Sequence, residues 1–270
     1  MDDERQWAGP APRPLGIDTG RITLRLAIPL HDPLWTYVLL AANVLVWVAM
    51  TALGGSENPV ILVLFGAKYT PLILAGQYWR LLTAIFIHVG VVHLVFNAYA
   101  LFSFGIEVER RFGRTRFLVL YLLSGIASTT ASFVGSPTLS AGASGAVFGL
   151  AGASVAYFLT YRHRLGAAGQ RSLRSILVVV GLNLVMGFAA PGIDNLGHIG
   201  GLIAGLWLGW VYCPQYAAPR LSPMDVAVGM PSEGALRAID RTPTLRLWAG
   251  TLLAVVVLGI AIVLGTWRWM

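Results

Sequence analysis

The small residues Ser140-Ala141-Gly142-Ala143-Ser144-Gly145-Ala146 open a long apolar segment of this chain. Runs of glycine, alanine and serine let membrane helices approach closely, so this stretch is typical of helix packing. It also places the hydroxyl group of Ser144 at the start of an apolar run, where a serine with a neighbouring base can act as a nucleophile. The rest of the sequence decides between these two interpretations.

The composition is that of a polytopic membrane protein. Hydrophobic residues make up 56% of the 270 residues and charged residues only 11%, whereas soluble domains are about half apolar and a quarter charged. The mean hydropathy is +0.71. A net charge of +7 is compatible with nucleic-acid binding, but the arginines lie in short loops between apolar runs, where they set membrane orientation. We therefore expect a lipid bilayer as the surroundings and no nucleic-acid partner.

Seven apolar runs are long enough to cross a bilayer, at about 20 residues per crossing. They lie at about 34–54, 90–108, 115–135, 143–161, 173–190, 196–213 and 245–266. The connection 55–89, between the first two runs, is broken by glycine and proline and carries Trp79-Arg80. Aromatic and basic residues favour the headgroup level, so we expect this connection to lie in the interface.

The runs divide the chain into four parts. Residues 1–33 are polar and contain five prolines, which predicts a flexible cytosolic extension, with a short interfacial stretch from Ile22 to Leu30. The acidic start of the chain argues against a secretory signal or a transit peptide. Residues 34–213 form a six-helix core, 214–244 a polar cytosolic linker, and 245–270 a seventh helix with a short outer tail. We expect the seventh helix to be an appendage of the core.

The positions of the basic residues predict the orientation. All lysines and arginines except Lys68, Arg80 and Arg268 fall in the N-terminal segment or in every second loop. The positive-inside rule then places the N-terminus in the cytosol and the C-terminus outside. In this orientation the fourth and sixth runs begin at the outer face, and their first residues include Ser144 and His198.

Polar residues within the spans are costly and therefore suggest a site. His93 and Asn97 are four residues apart, which puts them on one face of the second helix, and His198 lies at the same outer depth as Ser144. A serine, a histidine and two side-chain donors can thus converge. The alternatives are helix packing for the serine and backbone bonding or pore lining for a lone histidine. Metal binding is disfavoured because no carboxylate or thiol joins the histidines at ligand spacing, so we expect no metal and no cofactor.

Taken together, these motifs resemble those of the rhomboid intramembrane serine proteases. The resemblance covers residues 34–213. The matching elements are Trp79-Arg80, the spacing of His88, His93 and Asn97, the sequence Glu109 to Gly113, the Gly-x-Ser-Gly of Gly142 to Gly145, and the Gly-His-x-Gly-Gly of Gly197 to Gly201. The implied fold is an all-α polytopic membrane protein, with a rhomboid-like six-helix bundle and a seventh C-terminal transmembrane helix. The helix order resembles the six-plus-one type of bacterial and many eukaryotic secretory-pathway members, and we expect a bacterial plasma membrane.

The resemblance implies an intramembrane serine endopeptidase that cleaves single-span membrane proteins. Ser144 would attack the peptide carbonyl, with His198 as general base and then as acid, and an acyl-enzyme would follow. The Ser144 backbone N–H, His93 and Asn97 would stabilise the oxyanion. The runner-up is a catalytically silent rhomboid-like protein that binds membrane clients. Transport is disfavoured because no acidic residue lies in the middle of a span.

Supporting roles also follow from the resemblance. Gly142 belongs to the serine motif, and Phe148 would place its ring against His198. His88 would hold water molecules and the nearby loop in place. Trp79, Arg80 and Glu109 would be structural. Asp194 lies one turn before His198 and is a candidate to orient it, but we expect Asp194 to be a solvated loop residue. Substrates would reach the site between the second and fifth helices, under a lid formed by residues 189–195. Gly181 and Gly187 in the fifth helix would permit movement or serve packing.

Overall fold

The computed structural model describes residues 28–189, 192–218 and 237–270. Most of the predicted N-terminal extension, including Ile22–Ala27 of its interfacial stretch, lies outside the described residues. In the described part the chain forms the helices α1 (Leu34–Ala52), α2 (Pro59–Phe65), α3 (Thr70–Leu74), α4 (Arg80–Thr83), α5 (Gly90–Phe112), α6 (Arg114–Gly135), α7 (Ser144–Thr160), α8 (Arg162–Ala189), α9 (Asn195–Tyr212) and α10 (Thr244–Trp269). A 3-10 turn, Ala84–Phe86, follows α4. The strands β1 (Tyr216–Ala217) and β2 (Ile239–Asp240) pair antiparallel.

The prediction of a helical polytopic membrane protein is confirmed. Within the described ranges five helices, α1, α5, α6, α8 and α10, are long and apolar enough to cross a membrane. The two other predicted runs correspond to α7, with 17 residues, and α9, with 18. Nearly every residue of α7 is buried, and it packs against α5, α6, α8 and α9. The helix that carries Ser144 is therefore surrounded mainly by protein.

Glycines bring α7 and α9 into backbone contact. A Cβ atom at Gly201 would lie far inside 3.0 Å of the Gly145 carbonyl oxygen, and one at Gly205 would do the same at Gly149. The two contacts are four residues apart on each helix, so each helix presents one continuous face of small residues to the other. The predicted packing role of the small residues thus has a defined geometry, in which even an alanine side chain has no room.

A third helix closes this junction. On the other side of α7, a Cβ at Gly145 would overlap the Ser128 side chain, and one at Gly149 the Ser124 side chain, both from α6. Ser124 and Ser128 are buried. Three helices therefore meet with almost no side chain between them, which fixes the position of the first turn of α7.

Glu109, near the end of α5, caps the start of α1. Its Oε1 accepts the backbone N–H of Trp35 at 2.8 Å, and its Oε2 accepts both the N–H and the hydroxyl of Thr36 at 2.8 Å. The first N–H groups of a helix lack partners within the helix, and Pro33 at the N-cap has no polar side chain to offer them. The fully buried carboxylate also matches the positive end of the helix dipole. Glu109 thereby joins α1 to α5.

The connection between α1 and α5 is a folded unit of short helices, none of which is long enough to span a bilayer. Arg80 is buried, and its Nη1 donates to the carbonyl oxygens of Val63 at 2.7 Å and Ala67 at 3.1 Å. Its guanidinium lies 4.6 Å from the ring centroid of the half-exposed Trp79. Only the tryptophan therefore has the exposure expected of an interfacial residue, because the arginine satisfies the carbonyl groups at the end of α2.

The helix α10, which corresponds to the seventh predicted span, is tied to the core by hydrogen bonds near both ends. Near its start, the Trp207 indole donates to the Gly250 carbonyl at 3.2 Å, and the hydroxyls of Tyr212 and Thr251 lie 2.6 Å apart. At its far end, the Trp269 indole donates to the Phe133 carbonyl of α6 at 2.7 Å. These polar contacts dock α10 on α6 and α9, although most of its surface remains exposed.

The described parts of the predicted linker pack on the end of the bundle. The pairing of β1 with β2 brings Asp240 to α6, where its carboxylate lies 2.7 Å from the Arg116 guanidinium. Residues 219–236 of the linker lie outside the described residues. The segment that joins α9 to α10 is therefore anchored at both of its described ends.

Candidate active site

Ser144 is the first residue of α7, and the segment before it is fixed from several sides. Gly142 has a φ of +135°, a left-handed conformation that favours glycine, and its N–H donates to the Ala84 carbonyl at 2.9 Å. The N–H of Ala143 donates to His88 Nε2 at 3.3 Å. Because Ser144 begins the helix, its own N–H points out of the first turn, at the positive end of the helix dipole.

His198 lies in the first turn of α9 and contacts Ser144. Its Nε2 is 2.9 Å from the Ser144 Oγ, which is hydrogen-bond distance. The Phe148 ring stacks on the imidazole, with 4.4 Å between the ring centroids and 10° between the planes. His198 Nδ1 is buried and makes no hydrogen bond to any described residue. The pair is therefore a serine and a histidine without a carboxylate on the imidazole.

Asp194 is not the solvated loop residue that we expected. It is the N-cap of α9, where its Oδ1 accepts the Gly197 N–H at 2.9 Å. Its Oδ2 accepts the Ser140 hydroxyl at 2.6 Å, and the side chain is only partly exposed. An aspartate directly before an apolar run is a helix-start signal, so the capping role was readable from the sequence. The contact with Ser140 was not.

His93 presents a ring N–H toward the serine segment. Its Nδ1 accepts the Val89 N–H at 3.3 Å, and a neutral imidazole that accepts at Nδ1 carries its proton on Nε2. A Cβ at Gly142 would lie 2.9 Å from His93 Nε2 and 3.7 Å from Ser144 Oγ. The His93 donor thus faces the space beside the serine hydroxyl, and a side chain at Gly142 would fill that space.

Asn97 lies one turn further along α5 and is buried. Its Nδ2 donates to the His93 carbonyl oxygen at 2.9 Å. An amide nitrogen has two hydrogens, so this bond leaves the second one for another acceptor. The structure brings Asn97 to the same helix face as His93, with its amide held against the α5 backbone.

His88 supports the loop before Ser144 and precedes α5. It is fully buried, and its ring centroid lies 5.4 Å from that of His93. Burial and, to a smaller degree, the neighbouring His93 lower the pKa of His88 to about 3. A neutral imidazole is what its contact requires, because His88 Nε2 accepts the Ala143 N–H. Trp79, Arg80 and Glu109, by contrast, lie outside this cluster and hold the scaffold described above.

Lys68, which the sequence did not single out, is a second support of the serine segment. It is fully buried, and its Nζ donates to the carbonyl oxygens of Ser136 at 2.6 Å and Thr138 at 2.7 Å. Its backbone pairs with that of Ser140 in both directions, at 2.9 and 3.0 Å. Burial lowers the pKa of Lys68 to about 8, and the negative charge of Asp194 partly opposes this shift.

The two glycines of α8 differ in their surroundings. A Cβ at Gly181 would meet no atom within 4 Å, whereas one at Gly187 would overlap the Asn195 side chain. Gly187 therefore serves packing against the start of α9, and Gly181 faces open space. Residues 190–191 of the predicted lid lie outside the described residues. No cluster of three or more His, Cys, Asp and Glu side chains with metal-binding geometry occurs among the residues that the structure describes.

Comparison with known proteins places this geometry in context. A family model described as the Rhomboid domain matches residues 75–215, just over half of the chain. Rhomboid protease GluP of Bacillus subtilis (strain 168) is 48% identical over 176 residues, which are 65% of this chain and 34% of that protein. RHOMBOID-like protein 6, mitochondrial, of Arabidopsis thaliana is 35% identical over 167 residues, 60% of this chain and 52% of that protein. Rhomboid-like protease 1 of Toxoplasma gondii is 36% identical over 223 residues, 78% of this chain and 73% of that protein. The chain thus spans about a third of the first relative and about half of the second.

Proposed function

This chain belongs to the rhomboid family, and on that premise we propose that it is an intramembrane serine endopeptidase that cleaves single-span membrane proteins. The observation that carries the proposal is the distance of 2.9 Å between Ser144 Oγ and His198 Nε2. A nucleophile and a base at hydrogen-bond distance are the minimum for covalent catalysis. Packing alone does not require a histidine there.

The first chemical step uses the dyad. His198 Nε2 takes the proton of the Ser144 hydroxyl while Oγ attacks the peptide carbonyl carbon. The imidazolium then gives that proton to the leaving amine nitrogen as the C–N bond breaks, which leaves an acyl-enzyme on Ser144. A water molecule, deprotonated by the same imidazole, then attacks the acyl carbon. The C–Oγ bond breaks, the imidazolium returns the proton to Ser144 Oγ, and the new carboxyl terminus is released. Stacking against Phe148 holds the ring plane during both transfers.

Three donors are available to the oxyanion. The Ser144 N–H lies at the positive end of α7, His93 carries a proton on Nε2, and Asn97 has one free amide hydrogen. Removal of one such donor typically costs about 3 kcal/mol of transition-state stabilisation. The arrangement supports acyl transfer because His93 Nε2 faces the open space beside the Ser144 hydroxyl, where Gly142 has no side chain.

Substrates would be transmembrane proteins that approach through the bilayer. The outward faces of α5 and α8 carry large exposed apolar side chains, among them Phe96, Tyr99, Met186 and Phe188. Such faces suit lateral access between α5 and α8, beneath the loop at 189–195. We further propose that the protein resides in the bacterial plasma membrane with the N-terminus in the cytosol and the C-terminus outside. The same proposal includes the division of the chain into residues 1–33, 34–213, 214–244 and 245–270.

The test is reconstitution of the full chain in liposomes with a single-span substrate. Wild type should cleave it, and both Ser144→Ala and His198→Ala should lose cleavage. Thr51→Ala is the control, because Thr51 is exposed on α1, away from the proposed access face, and its hydroxyl bonds only the Trp47 carbonyl of its own helix. Cleavage that survives both dyad substitutions would refute the mechanism. Substrate capture by wild type without any cleavage would favour the client-binding alternative.

A further inference from the structure

We propose that Ser140 and Asp194 are positioning residues that hold Ser144 and His198 at reacting distance, an inference that rests on the proposed function. The two residues form a direct hydrogen bond, from the Ser140 hydroxyl to Asp194 Oδ2, at 2.6 Å. This short contact to a carboxylate is a charge-assisted hydrogen bond, about twice as strong as a neutral one. We call it the outer latch.

The outer latch runs beside the dyad with the same spacing on both segments. Ser140 precedes Ser144 by four residues, and Asp194 precedes His198 by four. On the histidine side the connection is rigid, because the Asp194 carbonyl accepts the His198 N–H at 3.0 Å and Asp194 Oδ1 accepts the Gly197 N–H at 2.9 Å. A displacement of Asp194 therefore moves the first turn of α9, and His198 with it.

The serine side of the latch is held equally firmly. Ser140 pairs with the Lys68 backbone through two hydrogen bonds, and the Lys68 ammonium binds the carbonyls of Ser136 and Thr138. Beyond Ser140, the Gly142 N–H is fixed to the Ala84 carbonyl at 2.9 Å. The segment 136–142 is thus a fixed platform from which α7 starts. Among the described residues, the Ser140 hydroxyl makes the platform's side-chain hydrogen bond to the N-cap of the helix that carries His198.

Geometry explains why this second link matters. The hydrogen bond between Ser144 and His198 must break and re-form during the reaction, so it cannot by itself keep α7 and α9 aligned. The outer latch touches neither the reacting atoms nor the space beside Gly142. It can therefore persist through both proton transfers and return His198 to the same place. A misplacement of about 1 Å is enough to lower a rate about 100-fold.

A purely capping role for Asp194 makes different predictions. Asparagine caps helices as well as aspartate does, so Asp194→Asn preserves the start of α9 but removes the charge from the bond to Ser140. Ser140→Ala leaves the cap intact and removes the latch alone. If Asp194 only caps α9, neither variant changes the reactivity of Ser144. If the latch positions the dyad, both variants do.

The experiment compares the full chain in detergent as wild type, Ser140→Ala, Ser140→Thr, Asp194→Asn and the double variant Ser140→Ala/Asp194→Asn. We measure the second-order rate of Ser144 labelling by a fluorophosphonate, kcat and KM for a single-span substrate, and the melting temperature. Ser140→Ala should lower the labelling rate and kcat about 10-fold, as expected for a lost hydrogen bond to a charged group, with KM unchanged. Ser140→Thr should restore most of the rate. In the Asp194→Asn background, Ser140→Ala should have a smaller effect than it has in wild type, because both changes weaken the same interaction.

Each outcome decides the matter. A labelling rate for Ser140→Ala equal to that of wild type, or fully additive effects in the double variant, would overturn the latch. A labelling rate that falls only in proportion to the loss of folded protein would also overturn the latch. Asp194→Asn keeps the helix cap and therefore tests the latch without such a loss. Thr51→Ala serves as the unchanged control. If folded wild type shows neither labelling at Ser144 nor cleavage, the proposed function itself fails.

Discussion

Replacement of Gly205 by alanine tests the packing that brings Ser144 to His198. A Cβ at Gly205 would lie 2.5 Å from the Gly149 carbonyl carbon, whereas non-bonded carbon atoms sit about 3.5 to 4.0 Å apart. The helices α7 and α9 must therefore separate by about 1 Å. The obstacle is backbone, which cannot rotate away, so the cost should lie near the upper end of the overpacking range, about 3 kcal/mol.

Two measurements follow from this separation. About 3 kcal/mol corresponds to a melting temperature lower by about 6 to 12 °C for a chain of this size. Gly205 lies two turns after His198 on α9, so the imidazole should also move away from the Ser144 hydroxyl, and fluorophosphonate labelling should slow by about 100-fold for a shift near 1 Å. Thermal unfolding in detergent and the labelling rate, both on purified full chain, give these quantities.

Gly259→Ala is the matched control. It makes the same chemical change within α10, where a Cβ meets no atom within 4 Å. Alanine favours the helical state over glycine by up to about 1 kcal/mol, so this variant should melt at or above the wild-type temperature and label at the wild-type rate. A Gly205→Ala protein that behaves like Gly259→Ala would refute the view that backbone contact between α7 and α9 sets the distance in the dyad.

Two further predictions concern the scaffold. Trp269→Phe should lower the melting temperature by a few degrees, since the Phe133 carbonyl lies in the last turn of α6 and accepts the Trp269 indole N–H, and a lost hydrogen bond costs about 1 kcal/mol. The same change at the exposed Trp267 should have no effect. Burial lowers the pKa of Lys68 to about 8 from 10.5, so between these values the unfolded chain binds more protons than the folded chain and stability rises with pH. As the pH rises from about 8 to 10.5, the melting temperature of wild type should therefore increase relative to that of Lys68→Met. A constant difference between the two proteins would contradict the lowered pKa of Lys68.

The sequence was sufficient to predict the helical membrane fold, because spans and loops differ strongly in hydropathy. It was less informative about α10. A helix with an apolar surface on all sides reads as an appendage, and the contacts that dock it depend on the ends of other helices. The Phe133 carbonyl needs a donor from outside α6 because it lies in the last turn of that helix. That need is visible in the sequence, but only the fold shows that Trp269 meets it.

The parts of the candidate site that depend on helix periodicity and on the order of the spans could be predicted from the sequence. The parts that depend on contacts between distant loops could not. The common depth of Ser144 and His198 followed from counting spans. Asp194 and Lys68 were missed because their partners are 54 and 68 residues away in sequence. Neither the partner nor the distance follows from local pattern, since both depend on how the connection after α1 folds onto the segment before α7.

The two first interpretations of Ser144, helix packing and nucleophile, make the same demand on the structure. A serine can use a histidine from another helix only if the two backbones come close, and side chains on either helix would keep them apart. Gly145 directly follows Ser144, and it faces Gly201, three residues after His198. The small residues that suggest helix packing are thus those that allow Ser144 Oγ and His198 Nε2 to lie 2.9 Å apart. Substitution of these glycines should therefore lower the reactivity of Ser144, although the serine itself is unchanged.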